Sequence, residues 1–139
     1  MLERTKNRET HDLLNFLSNQ RIRESPAVVA TVIRVGGGDS HREIKIGDRL
    51  FFSDGTIEGG SLVGSVVETK VASYAATAAT LRTSHLTSID AIEVFIEYVG
   101  TPTRLFVFGA GHDAIPFVRT AGLLGWKTTV ADNRAAYTK

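Results

Sequence analysis

The amino-acid sequence predicts an α/β protein, with a small α/β N-terminal domain followed by a single β-α-β unit. Two observations predict this class. In the first hundred residues, β-branched runs alternate with segments whose apolar residues recur at helical spacing. After Arg104, an apolar strand leads through a glycine-rich turn into a helix and a second strand. A content of 42% hydrophobic and 22% charged residues in 139 residues is typical of a globular chain.

The N-terminal part opens with an amphipathic helix and a buried strand. Apolar residues recur at helical spacing over residues 12–22, and Ser25-Pro26 ends that segment. The run Ala27–Val35 is β-branched and nearly all apolar, which indicates a buried strand. Glycines and polar residues at 36–40 then predict a loop.

A hairpin and a second helix follow in the pattern. Arg49–Ser53 indicates a strand, Asp54-Gly55 is a dipeptide typical of hairpin turns, and residues 56–58 can pair back. Over residues 63–81 the apolar positions fall mostly three or four apart, which predicts a helix with many small alanines.

The domain boundary is predicted from a change of pattern near residue 100. Residues 83–90 are polar and are expected to be a connection, whereas Ile92–Val99 alternates like a strand with one wetter face. Residues 100–103 combine a glycine and a proline with no periodicity, as linkers do. We therefore expect one domain at residues 1–100 and a partial nucleotide-binding domain at residues 104–139.

Composition narrows the classes of function. A net charge of +1 provides no strong electrostatic attraction to nucleic acid or to an anionic membrane, so neither is expected as a partner. The absence of cysteine removes disulfides, thiolate metal sites and a cysteine nucleophile. The polar N-terminus and the lack of any long apolar stretch predict a soluble, cytoplasmic, unprocessed chain. The histidines His11, His41 and His85 are isolated in the sequence, so no metal site is expected.

A Gly-x-Gly-x-x-Ala motif carries the strongest functional signal. Gly109 is expected to make a tight turn, Gly111 to leave room for a pyrophosphate, and Ala114 to let helix and strand approach. Asp132 follows Gly111 by about 20 residues, where a carboxylate accepts hydrogen bonds from ribose hydroxyls. These features predict a Rossmann-type site for NAD or a related nucleotide, with the phosphate at the helix N-terminus.

Alternatives stay open for this motif. Arg134 lies close enough to Asp132 in sequence to admit NADP instead of NAD. The glycines also fit a strand-to-helix turn that binds nothing. His112 is either a cofactor-binding donor to the phosphate or a solvated first-turn residue. Asp113 is expected to cap the helix, which places Pro116 in the first turn.

The order of features resembles the xanthine dehydrogenase accessory family (XdhC-type) over nearly the whole chain. The most specific block is RLFVFGAGHDAIPFV with LGWKTTVADNRAAY, at residues 104–118 and 124–137. The strand AVVATVIRV with residues 38–42, the segment 47–50, and the hairpin leading to Val63-Gly64-Ser65 add to the resemblance. Members of this family continue well beyond Lys139, so we expect this chain to be either shortened within its Rossmann domain or a divergent relative.

The resemblance implies a chaperone-like maturation factor that binds molybdenum cofactor (molybdopterin) and delivers it to a molybdenum hydroxylase. Ser40, Arg42 and Ser65 are the residues that it places at this cofactor. Ser65 stands where the family typically has a cysteine, and the family's second cysteine-containing loop has no counterpart between residues 79 and 92. Both departures argue against soft sulfur ligation or thiol chemistry.

Three functions are therefore weighed. A non-catalytic maturation factor is favoured, ahead of an interaction module without a ligand and a nucleotide-dependent oxidoreductase subunit, because spacing shows no catalytic set. Two parallel strands and one helix cannot cover both faces of a sheet, so a homo-oligomer is expected. Ser65 is expected at the N-terminal end of the second helix, facing a cleft with the loop at 38–42.

Overall fold

The structure is a computed structural model that describes residues 2–37 and 43–134, with residues 2–9 described as helical backbone only. The chain divides into two compact units, Met1–Thr101 and Pro102–Lys139. Helices and strands occur in both units, which confirms the α/β class. Among the described residues, no helix combines the length and the apolar character needed to cross a bilayer.

The first unit is an antiparallel sheet with two helices. Its strands lie in the order β3-β2-β1-β5-β4, so β1 is central and pairs with both β2 and β5. The elements, in chain order, are α1 (Leu2–Arg23), β1 (Ala27–Val35), β2 (Arg49–Ser53), β3 (Thr56–Gly59), α2 (Glu68–Leu81), β4 (His85–Ile89) and β5 (Ile92–Val99).

Side chains alternate across this sheet and bury both of its faces. On one face Val28 and its partner Phe52 belong to the main core, against which the α2 residue Val71 packs. On the other face Val29 and its partner Phe51 form a smaller cluster with residues of α1. Since successive strand residues point to opposite faces, β1 has to be apolar at nearly every position.

Three predicted elements need correction. The helix α1 begins at Leu2 instead of residue 12. The helix α2 begins at Glu68, because residues 61–66 form turns that include Gly64 at φ +82°. The predicted connection at 83–90 is wrong, since His85–Ile89 is a strand that pairs with β5. Pairing with a neighbouring strand overrides the polar composition of β4.

The second unit is a parallel pair of strands joined by a helix. Its elements are β6 (Arg104–Phe108), α3 (Ala114–Leu123) and β7 (Lys127–Ala131). The register runs from Arg104 opposite Lys127 to Phe108 opposite Ala131. The predicted parallel pairing is confirmed, and it brings the carboxyl ends of β6 and β7 to the same edge.

Candidate functional site

The glycine-rich loop begins where β6 ends. Gly109 has a φ of +108°, a conformation that residues with a side chain rarely adopt. Its N–H donates to the carbonyl oxygen of Ala131 at 2.7 Å, which extends the pairing of the strands by one residue. Gly109 therefore has the tight-turn geometry that the motif predicts.

At the start of α3, the structure agrees with the expectations for Ala114 and Pro116 but only partly with that for Asp113. Ala114 is 8% exposed, and its N–H donates to the carbonyl oxygen of Gly111 at 3.1 Å. Pro116 lies in the first turn, where its missing N–H costs nothing. Asp113 stands at the N-cap position, as expected, but its side chain makes no capping hydrogen bond. Its backbone is already helical, at φ −69° and ψ −27°, whereas a capping residue is normally extended.

The backbone amides before α3 form a group of donors. Among the described residues, no acceptor pairs with the N–H groups of Gly111, His112 and Asp113. His112 is exposed, and an oxygen of the Asp113 carboxylate lies 2.6 Å from the point that a Cβ on Gly111 would occupy. Unpaired amides at a helix N-terminus favour an anion, and a bulkier residue at position 111 would crowd it.

Asp132 ties this loop to the end of β7. Its Oδ2 accepts hydrogen bonds from Ala110 N at 2.7 Å and from Arg134 Nη2 at 2.8 Å. Its Oδ1 accepts from the backbone N of Arg134 at 2.8 Å and from Nε of Arg134 at 2.9 Å. The side chain of Asp132 is 3% exposed and that of Arg134 is 55% exposed.

These contacts fix the charge state of the pair. The guanidinium of Arg134, followed by the amide of Ala110, lowers the pKa of the Asp132 carboxyl far below its usual range. The same pairing raises the pKa of Arg134. The carboxylate is therefore ionised at neutral pH, and the acceptor role predicted for it toward a ribose requires one of its four bonds to break.

A cavity of about 550 Å³ opens at this edge of the parallel strands. It is lined by residues from the ends of both strands: Phe108, Gly109, Ala131, Asp132, Asn133 and Arg134. Ligands of open parallel sheets bind outside the carboxyl ends of the strands, which is the position of this cavity. Asn133 and Ala110 were not singled out from the sequence, although their places beside Asp132 and Gly109 were a sufficient signal.

The residues that the resemblance places at molybdenum cofactor are not shown together. Ser40 and Arg42 lie outside the described residues. Ser65 lies three residues before α2, and its Oγ is buried with no hydrogen-bond partner in the described part of the chain. No group of three or more histidine, aspartate or glutamate side chains in that part is arranged to hold a metal ion.

A second cavity, of about 520 Å³, lies in the first unit and was missed in the sequence. Phe16 and Phe51 line it with stacked rings whose centroids are 4.8 Å apart. Its polar lining comes from α1 and from the β2-β3 hairpin: Asp12, Asn15, Asn19, Arg49, Glu58 and Ser61. Only the helical spacing of the polar α1 residues hinted at a shared face.

Comparison with known proteins assigns no family. No family model matches the chain, and no curated protein matches it. Among solved structures, it is similar to the crystal structure of a xanthine dehydrogenase from Bacillus halodurans, with 20% identity and a TM-score of 0.37. The alignment covers 83% of this chain and 57% of that chain, so this chain spans less than two thirds of the other's length.

Proposed function

We propose that this chain is a nucleotide-binding accessory factor, with the nucleotide at the carboxyl edge of β6 and β7. The observation that carries the proposal is the turn at Gly109 followed by three unpaired backbone amides at the start of α3. Amides in this arrangement donate to a phosphate group, and the helix dipole adds to the attraction.

The accessory role comes from the resemblance to the xanthine dehydrogenase accessory family. In this role the chain serves the maturation of a molybdenum hydroxylase and performs no chemistry itself. His112 is the titratable ring beside the amides, and no carboxylate, serine or lysine of the described residues forms a hydrogen-bonded pair with it. A catalytic acid or base normally needs such an orienting partner.

Molybdenum cofactor fits the described residues poorly. Ser65 offers one buried hydroxyl, whereas a pterin needs several polar partners. The nucleotide part of the proposal therefore has support from geometry, while the molybdenum part has support from the resemblance alone.

Calorimetry of the full chain with ADP, NAD⁺ and NADP⁺ tests nucleotide binding. We expect binding of at least one of them. A Gly111→Val variant should weaken it by about tenfold or more, because a side chain at position 111 collides with the Asp113 carboxylate and crowds the turn that a phosphate has to approach. Gly122→Val is the matched control, since a Cβ at position 122 meets no atom within 4 Å.

The outcomes separate the candidate functions. If none of the three nucleotides binds to the folded chain, the nucleotide proposal is wrong and an interaction module becomes the better interpretation. If the chain alone oxidises NADH or NADPH with a general electron acceptor, the oxidoreductase alternative replaces the accessory role.

A further inference from the structure

The cavity lined by α1 and the β2-β3 hairpin combines buried aromatic side chains with exposed polar ones. Its volume of about 520 Å³ is typical of sites for small molecules. Phe16 and Phe51 stack on each other and are 7% and 5% exposed, so packing fixes their rings and leaves little free face for a flat ligand. Recognition in this cavity therefore depends on its polar and charged groups.

Two charged side chains that line the cavity have no partner in the described part of the chain. Asp12 is exposed on α1, and Arg49 is half-buried at the start of β2. Neither the carboxylate nor the guanidinium makes an ion pair or a hydrogen bond with a described residue, and the two do not pair with each other. A half-buried guanidinium without an acceptor favours an anionic oxygen, and the Asp12 carboxylate favours a cation.

The backbone around Arg49 is held in place without the use of its side chain. The N–H of Arg49 donates to Ser61 Oγ at 3.0 Å, and its carbonyl oxygen accepts from the N–H of Leu62 at 2.9 Å. Gly60 packs so closely that a Cβ there would collide with the same carbonyl oxygen. Because these contacts fix the backbone, only the side chain of Arg49 has to become ordered when a ligand binds.

The charges of the lining residues narrow the class of ligand. Among the described residues of the cavity, Asp12 and Glu58 are acidic and Arg49 is basic, which gives a net charge of −1. Glu58 Oε1 lies 3.5 Å from Nη1 of Arg23, so its charge is partly balanced already. A phosphate would be repelled by the carboxylates, and a simple amine would leave Arg49 without an acceptor. A ligand with one carboxylate and one ammonium group matches both unpaired charges.

We propose that this cavity binds a small zwitterion of the amino-acid class, with the ligand carboxylate at Arg49 and the ligand ammonium group at Asp12. Asn15 and Asn19 follow Asp12 on the same face of α1 and supply amide donors and acceptors for a polar ligand side chain. The described lining of this cavity shares no residue with that of the cavity at β6 and β7, so either proposal can fail without the other.

Calorimetry on the full chain with L-glutamine and two blocked analogues tests whether both charges are needed. L-Glutamine is the probe because its side-chain amide complements those of Asn15 and Asn19. L-Glutaminamide lacks the free carboxylate, and N-acetyl-L-glutamine lacks the ammonium group. We expect L-glutamine to bind with a Kd below about 1 mM, and each analogue to bind about tenfold more weakly or worse.

Two variants assign each ligand charge to its residue. Arg49→Gln should weaken binding of L-glutamine by about tenfold or more, while the affinity for L-glutaminamide, which has no carboxylate to lose, stays within about twofold. Asp12→Asn should weaken binding of L-glutamine in the same way, while the affinity for N-acetyl-L-glutamine stays within about twofold. A general disturbance of the fold would lower the affinity for all three ligands together.

The matched controls change the same residue types outside the cavity. Arg21 is exposed on α1 and Asp54 is exposed in the hairpin turn, and neither lines the cavity. Arg21→Gln and Asp54→Asn should therefore bind L-glutamine as the wild-type chain does.

Three outcomes would overturn the proposal. If L-glutamine does not bind to the folded chain, the cavity is not a site of this class. If N-acetyl-L-glutamine or L-glutaminamide binds as tightly as L-glutamine, the ligand is a simple anion or cation and not a zwitterion. If L-glutamine binds equally well to Arg49→Gln and Asp12→Asn, it binds elsewhere on the chain.

Discussion

Asp132 accepts hydrogen bonds both from the glycine-rich loop and from the residues after β7, so one side chain holds the two segments together. Its pKa is lowered in the folded chain, first by Arg134, so the ionised form stabilises folding above the ordinary aspartate pKa of about 4. That stabilisation is lost as the pH falls through the folded-state pKa, because the protonated form no longer pairs with the guanidinium.

We expect Asp132→Asn to lower the thermal stability of the chain at pH 7, and the difference from wild type should shrink as the pH falls below about 4. Thermal melts followed by circular dichroism between pH 7 and pH 2 measure this difference. Asp12→Asn serves as a control, since the Asp12 side chain is exposed and makes no hydrogen bond with the described residues. A difference that grows toward low pH would contradict the assigned direction.

Two serines make a matched pair for the effect of a buried hydroxyl. Ser65 Oγ is buried without a partner, whereas Ser53 Oγ lies 3.0 Å from Gln20 Oε1 and 3.2 Å from the carbonyl oxygen of Pro26. Ser65→Ala removes an unsatisfied group, so it should raise the free energy of unfolding by about 0 to 1 kcal/mol. Ser53→Ala leaves the Gln20 oxygen without its donor and should lower the free energy of unfolding by about 1 to 3 kcal/mol.

Urea titrations monitored by tryptophan fluorescence and circular dichroism give both values. Equal losses in the two variants would show that Ser65 Oγ has a partner after all. The sequence could single out Ser65 through its place in the resemblance, but it could not show that the hydroxyl is unpaired. That fact depends on how the turns at 61–66 fold, which no local pattern specifies.

The position of Arg134 illustrates the same limit. Spacing was enough to place Gly109, Ala114 and Asp132 at one strand-turn-helix unit, because strand and helix periods are local properties. The four hydrogen bonds on Asp132 are not local in this sense, since one of them comes from Ala110, across the parallel pair. The positions of these residues in the unit were therefore predictable, whereas the hydrogen-bond partners of Asp132 were not.

At the scale of elements, the β2-β3 hairpin depends on a close backbone approach at Gly60. A Cβ there would lie 2.3 Å from the carbonyl oxygen of Arg49, and Gly60 has a φ of +113°. Gly55 also has a positive φ, +81°, but a Cβ there meets no atom within 4 Å. The two glycines thus separate a steric requirement from a purely conformational one.

We expect Gly55→Ala to lower the free energy of unfolding by about 1 to 2 kcal/mol, the usual cost of a left-handed residue. Gly60→Ala should cost more than about 3 kcal/mol, because the backbone of β2 must also move. Chemical denaturation of both variants measures the difference. Similar losses of stability in the two variants would mean that the backbone near Gly60 can shift at little cost and that the close approach is not a constraint.

Elements with strong local signals were predicted well, and those that depend on partners were not. The strand β1 was predicted with its exact bounds, since a β-branched apolar run has few alternatives. The strand β4 was missed because its exposed positions, such as Leu86 and Ser88, do not alternate by polarity. Only its register against β5, with His85 opposite Ile96, makes it a strand.

At the scale of the molecule, the second unit leaves one side of its sheet uncovered. Half-buried and exposed residues alternate along β6, and Phe106 and Phe108 are 58% and 86% exposed. Their partners across the pair are Thr129 and Ala131, which lie on the same face. The described part of the chain adds no third strand to this sheet, so both of its edges also lack a partner.

An apolar face and open edges of this kind favour association with another chain, and we expect a dimer or a higher oligomer that uses the second unit. The helix α3 adds Leu123, which is 90% exposed. Light scattering at several concentrations measures the mass of the full chain and of a Phe106→Ser variant, whose loss of apolar surface should weaken association. Thr120→Ser is the control, because it changes an exposed residue of α3 with no loss of aromatic surface. A wild-type chain that stays monomeric and folded at every concentration would show that the open face needs no partner, and the argument from the uncovered strands would then be wrong.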